Sequence, residues 1–97
     1  MNRRMNENIV YVGSKPVMTY VMAIMTAMND QDSDGVIVKA RGRAISTAVD
    51  AAEVTRNRYL NGLKSSVAIG TEEMEQDGGG TRNVSTIAIT LSKSPEA

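Results

Sequence analysis

Three β-branched residues, Val36, Ile37 and Val38, run through the segment Lys39–Ser46 (KARGRAIS) into Ala44–Leu60, a long stretch with apolar residues at helical spacing. A buried strand that passes through one short turn into a helix points to α/β layering. Arg41 and Arg43 fall at the handover. The first backbone N–H groups of a helix lack intrahelical partners and carry partial positive charge, so two guanidinium groups beside them make a phosphate site. Gly42, between the two arginines, lets the backbone come close.

With 97 residues the chain is one small domain, expected to be ordered over about residues 8–92, with frayed ends at Met1–Glu7 and Ser92–Ala97. Hydrophobic residues at 41% and charged residues at 23% are ordinary globular usage. The chain has no Cys and no His, which removes disulfides, thiolate or imidazole zinc sites and every mechanism with a His base. No catalytic, metal or cofactor residues are therefore expected. No signal-peptide pattern or long apolar run is present, so the expected location is cytoplasmic, without a membrane partner. Formal net charge is zero, but it is unevenly spread. Residues 1–66 hold nine Lys or Arg against six acids, whereas residues 67–80 hold Glu72, Glu73, Glu75 and Asp77 and no base.

In chain order, Asn8–Val12 reads as a short strand ended by Gly13, and Pro16 suits the first turn of a helix. Val17, Val21, Ile24 and Met28 fall on one face of that helix, with Met18, Met22 and Met25 as a second stripe. The second stripe is either gap-filling core or a contact with another subunit. Asn29–Gly35 reads as an acidic turn before the strand Val36–Ala40. In the second helix, Ala44–Leu60, the residues Ile45, Ala48, Val49, Ala52 and Tyr59 lie near one stripe, its small members permitting close approach. Arg56 and Arg58 occupy its last turns, where cations suit the helix dipole, and Asn61-Gly62 caps it. Ser66–Thr71 and Val84–Leu91 read as strands, with Ile87, Ile89 and Leu91 inward. Asp77-Gly78-Gly79-Gly80 between them is a strong turn signal. Pairing continued toward that tip makes an arm longer than a core needs, solvated on both faces. The expected architecture is a small two-layer α/β sandwich of order β-α-β-α-β-β, with a four-stranded mixed sheet, two helices on one face and a long β-hairpin arm.

The segments Val12–Val21 (VGSKPVMTYV), KARGRAIS, Ala48-Val49-Asp50, Arg56–Leu60 (RNRYL) and Val84–Ile87 (VSTI) stand in an order and spacing that resemble the Alba family of archaeal chromatin proteins over about Ile9–Leu91. The resemblance implies a homodimer that binds double-stranded DNA, and RNA, with little sequence preference. Dimers pack against dimers along the duplex, condensing DNA as part of the chromosome. The hairpin arms follow the minor groove while the body sits over phosphates. By position, Lys15, Arg41 and Arg43 are the phosphate contacts, Arg82 is the cation of the arm and Tyr59 is the contact between dimers. Members often carry two lysines before the proline, the first being the acetylated one. Here Ser14 stands in that place, so an acetylase or deacetylase has only Lys15 to act on. Glu72, Glu73, Glu75 and Asp77 on the arm face repulsion from phosphates, so modest affinity is expected.

Two other readings remain open. One is an RNA-directed or mildly sequence-selective regulator whose acidic arm suppresses indiscriminate coating of DNA. The other is a protein-interaction module that uses the second Met stripe and Tyr59. With three Tyr and no Trp or Phe, recognition of single strands by base stacking has little support in the composition.

Overall fold

A computed structural model describes residues 8–29 and 34–93. The expectations for Met1–Glu7 and for Pro95 lie outside the described residues, as does most of the acidic turn, Asp30–Ser33. The elements are β1 (Asn8–Tyr11), α1 (Val17–Met28), β2 (Gly35–Arg41), a 3-10 turn (Gly42–Ala44), α2 (Ile45–Val54), a π turn (Thr55–Tyr59), β3 (Lys64–Glu75) and β4 (Thr81–Ser92). They form one four-stranded sheet in the order β1-β2-β4-β3, with β1 parallel to β2 and β4 antiparallel to both its neighbours. The expected mixed sheet and element order are found.

Strand alternation decides where the core lies, because residues two apart share a face. Val36, Val38 and Ala40 on β2 stand opposite Leu91, Ile89 and Ile87 on β4, and all six are buried under the helices. From α1, Val21, Ile24 and Met28 enter this core, as expected from their spacing. Met25 packs against the core edge, the gap-filling use, while Met18 and Met22 stay exposed on the surface. From α2 come Ala48, Ala51 and Ala52, whose small side chains let the helix lie close to the sheet.

The second helix departs from the sequence expectation at both ends. It opens with the 3-10 turn and closes with the π turn, in which Leu60 N–H donates to the Thr55 carbonyl at 2.8 Å. Buried Thr55 also donates its hydroxyl to the Ala51 carbonyl at 2.8 Å, a back-bond of the kind that loosens a helical ladder. A π turn holds an extra residue, so it shifts later residues off the helical stripe. Tyr59, expected near the stripe of Ile45 and Ala52, is exposed at the end of this turn, and Val49 is also outside the core.

The hairpin is longer than its apolar residues indicate. The β2–β4 pairing ends at Arg41 opposite Thr86, whereas β3 and β4 stay paired from Thr71 opposite Ser85 out to Glu75 opposite Thr81. That free part projects about 17 Å at the usual strand rise and accounts for a long axis of 51 Å against a thickness of 19 Å. At the tip, Gln76 N–H donates to the Gly80 carbonyl at 3.0 Å and Gly79 N–H to the Gln76 carbonyl at 3.1 Å.

Candidate nucleic-acid interface

Parallel pairing brings the carboxyl ends of β1 and β2 to the same edge of the sheet, where Val12 N–H donates to the Lys39 carbonyl at 2.9 Å. In open α/β sheets this is the edge at which loops converge on ligands. The loop that carries Lys15 leaves from β1, and the turn that carries Arg43 leaves from β2 next to Arg41. Because β4 runs antiparallel and is paired at Arg41 through Thr86, the arm projects past this same edge, with Arg82 on it opposite Met74. Lys15, Arg41, Arg43 and Arg82 are all exposed. Segments distant in sequence therefore bring Lys15, Arg41 and Arg43 to one end of the molecule, with Arg82 farther out on the arm that also carries Glu72, Glu73, Glu75 and Asp77. Helix α2 starts at this edge and runs back across the sheet, which carries Arg56 and Arg58 toward the other end. There Arg56 bonds Glu53 at 2.7 Å and donates to the Leu63 carbonyl at 3.3 Å, the structural role that its place in the chain suggests.

The loop that carries Lys15 and the turn between Arg41 and Arg43 are both braced. Tyr20, in the first turn of α1, is buried, and its hydroxyl accepts hydrogen bonds from Gly13 N–H at 2.9 Å and Lys15 N–H at 3.0 Å. The loop is thus fixed from below and presents the Lys15 side chain rather than its backbone. Pro16 then serves as the N-cap, one residue earlier than the first-turn position read from the sequence. Sequence reasoning misses Tyr20 as a functional support. The available signal is a large, polar-tipped residue on an otherwise apolar helical face, placed to satisfy a glycine-containing turn. A Tyr20→Phe change is expected to leave both N–H groups without that acceptor and to cost about 1–2 kcal/mol of stability. The check is a pair of melting curves, with a several-fold fall in duplex affinity as the accompanying change.

Gly42 holds φ at +59°, which lets the chain reverse between Arg41 and Arg43. A Cβ at Gly42 would lie 3.5 Å from Val84 Cγ1, and Val84, at the root of the arm, is itself buried. Arm and cationic turn are therefore packed on each other. No side chain caps the 3-10 turn or α2. Arg41 also forms an ion pair with Glu72 of the arm at 2.5 Å, with side chains 55% and 52% exposed. A pair so exposed is worth at most about 1 kcal/mol, so a phosphate can replace the carboxylate. Among the described residues no group of Asp and Glu is arranged to hold a metal ion, and no helix is long and apolar enough to cross a membrane.

A sequence profile described as Alba matches residues 8–71, well over half of the chain. The chain is 47% identical over 88 residues to DNA/RNA-binding protein Alba of Methanococcus maripaludis, an alignment spanning 90% of this chain and 99% of that one. It is 49% identical over 90 residues to DNA/RNA-binding protein Alba 1 of Archaeoglobus fulgidus, spanning 92% and 99%. Among solved structures, Alba from Thermoplasma volcanium superposes with a TM-score of 0.82 at 44% identity, covering 89% of this chain and all of that one. The same order of strands and helices, the motifs around both cationic turns and identity of this degree over nine-tenths of the chain lead to one conclusion: the chain belongs to the Alba family.

Proposed function

We propose that this chain is a non-enzymatic architectural protein that binds double-stranded DNA as a homodimer, and RNA as well, through phosphate contacts with little sequence preference. One observation carries the reading: Lys15, Arg41 and Arg43 stand at the edge from which the arm projects, and Arg82 lies on that arm opposite Met74. The relatives' name, DNA/RNA-binding protein Alba, supports it. Dimerisation is favoured by Val67 and Ile69, which project on the helix side of β3 beyond the reach of α2 and are 59% and 82% exposed. Val49 is likewise exposed, on α2, and a two-fold contact over these residues covers them on both subunits at once. Exposed Tyr59, at the end away from Lys15, Arg41 and Arg43, serves contacts between dimers along the DNA. Acetylation of Lys15 removes one phosphate contact per subunit, which an acetylase and a deacetylase exploit. The protein acts in the cytoplasm, on the chromosome.

Lys15, Arg41 and Arg43 of both subunits give a slope of log K against log salt of about −5, a loss of roughly 10³ in affinity between 50 and 200 mM. Titration of random duplex DNA at several salt concentrations, beside a solution mass of twice the 10.4 kDa chain, is the test. A slope near zero sinks the assignment.

The Arg41–Glu72 ion pair favours a second reading, an RNA-directed or mildly selective regulator with weakened duplex affinity. Competition among RNA, random duplex and genomic fragments separates the two. Equal affinities leave packaging, and one preferred polymer leaves regulation.

A further inference from the structure

The two helices cover one face of the sheet and leave the other open. On that open face a single row crosses all four strands, Tyr11 opposite Lys39, Lys39 opposite Ala88, and Ala88 opposite Ala68. The next row holds Arg41, Thr86 and Gly70. Tyr11 is 71% exposed, although the two other tyrosines are buried or lie at the far end. A groove of about 600 Å³ runs over these rows, with Arg41 and Glu72 on its rim. Its floor is low because Ala68, Gly70 and Ala88 carry little or no side chain, and a larger residue at Gly70 would require Thr86 to shift. A Cβ there would come within 3.2 Å of the Thr86 hydroxyl.

This is a surface for a flat ring rather than for a duplex. The stacked bases of a double helix cannot reach a sheet floor, whereas unpaired bases can lie on it beside an aromatic side chain, as they do on other open four-stranded sheets. Lys39 beside Tyr11 and Arg41 in the next row supply the charge for adjoining phosphates. Glu72 is out of place on a surface for phosphates alone, but it suits a base edge, because a carboxylate accepts from exocyclic amino groups. Those edges are free only in an unpaired strand. Thr86 and Thr90, on the same face, offer hydroxyls to a ribose 2′-OH, the group that distinguishes RNA from DNA.

We infer that the open sheet face is a binding site for a short unpaired RNA segment, with Tyr11 stacking on a base, Lys39 and Arg41 holding the flanking phosphates and Glu72 accepting from a base edge. On binding, a phosphate takes over Arg41 and a base N–H takes over Glu72, so neither member of the ion pair loses its partner without replacement. The site goes beyond the duplex-binding reading and shares only Arg41 with it. The scarcity of aromatic residues argues against stacking, but the fold exposes the one ring that the groove needs.

The test is a set of anisotropy titrations with a short unstructured RNA, a single-stranded DNA of the same sequence and a random duplex DNA. The proteins are the wild type, Tyr11→Ala, Tyr11→Phe and Glu72→Gln, with melting curves to verify that the exposed substitutions leave the fold intact. Tyr11→Ala is expected to weaken RNA binding roughly 10- to 100-fold and to leave duplex DNA within about twofold, with Tyr11→Phe retaining RNA affinity. Glu72→Gln is expected to change the preference among homopolymeric RNAs that differ in their base amino groups. Unchanged RNA affinity in Tyr11→Ala, or an equal loss for RNA and duplex, overturns the site. Single-stranded DNA bound as tightly as RNA overturns the assignment to RNA. If the wild type ignores duplex DNA while the RNA results are as expected, the duplex reading fails and this one stands.

Discussion

Replacing Arg41 and Arg43 together by alanine is expected to reduce the slope of log K against log salt for duplex DNA from about −5 to about −2. Each dimer then retains only the two copies of Lys15 from the central set. Four lost phosphate contacts, at nearly one released counterion each, correspond to a fall of roughly 10²–10³ in affinity near 0.2 M salt. The fold should survive, because Arg41 is half exposed and is paired only with exposed Glu72, while Arg43 lies on the surface of a 3-10 turn. Titrations at four or five salt concentrations measure the slope, and melting curves confirm the fold. An unchanged slope moves the duplex site away from the cationic edge. A protein-interaction module would keep its partner in this variant.

Leu91→Ala is expected to be the most destabilising of the simple truncations, at about 3–4 kcal/mol. The side chain is fully buried on β4, the strand between β2 and β3, facing Val36 across the sheet. A domain of this size has a total stability of roughly 5–10 kcal/mol, so the variant should be partly unfolded at moderate temperature. Denaturant unfolding followed by circular dichroism measures it. Ile69→Ala is the control, with the same chemistry at a site that no helix covers. Its effect should depend on protein concentration, because what it removes is surface buried between subunits rather than within one. A large, concentration-independent loss at Ile69 contradicts the two-fold contact proposed here.

Much of the cationic edge is legible without coordinates. Pro16 after Lys15 marks the start of one helix, and Val36–Val38 leading into Arg41-Gly42-Arg43 marks a strand that turns into the next. Both signals are local, because they depend on backbone preferences within a few residues. The inward set Ile87, Ile89 and Leu91 is equally readable, since alternation with period two is a property of the strand itself. The far half of the hairpin is harder, because Thr71–Glu75 and Thr81–Asn83 have no apolar face to reveal pairing, and their register is set by the root of the arm and by the turn at Gly78–Gly80.

Other features depend on contacts between segments distant in sequence. Tyr20 resembles any aromatic residue on a helix until the fold lays the Gly13–Lys15 turn over its hydroxyl. Glu72 reads as one acid among four on an arm, until antiparallel pairing sets it beside Arg41, 31 residues away in sequence. The π turn that ends α2 depends on how the chain is held at buried Thr55, which helical periodicity does not encode.

By itself the sequence determined the family, the order of strands and helices, the inward faces and where Lys and Arg fall relative to the turns, because these arise from local patterns of polarity and turn chemistry. Only the tertiary structure decided which cations share an edge, which carboxylate opposes them and which sheet face stays open. Those are matters of strand order and register, and inserting β4 between β2 and β3 joins residues whose separation along the chain carries no local signal.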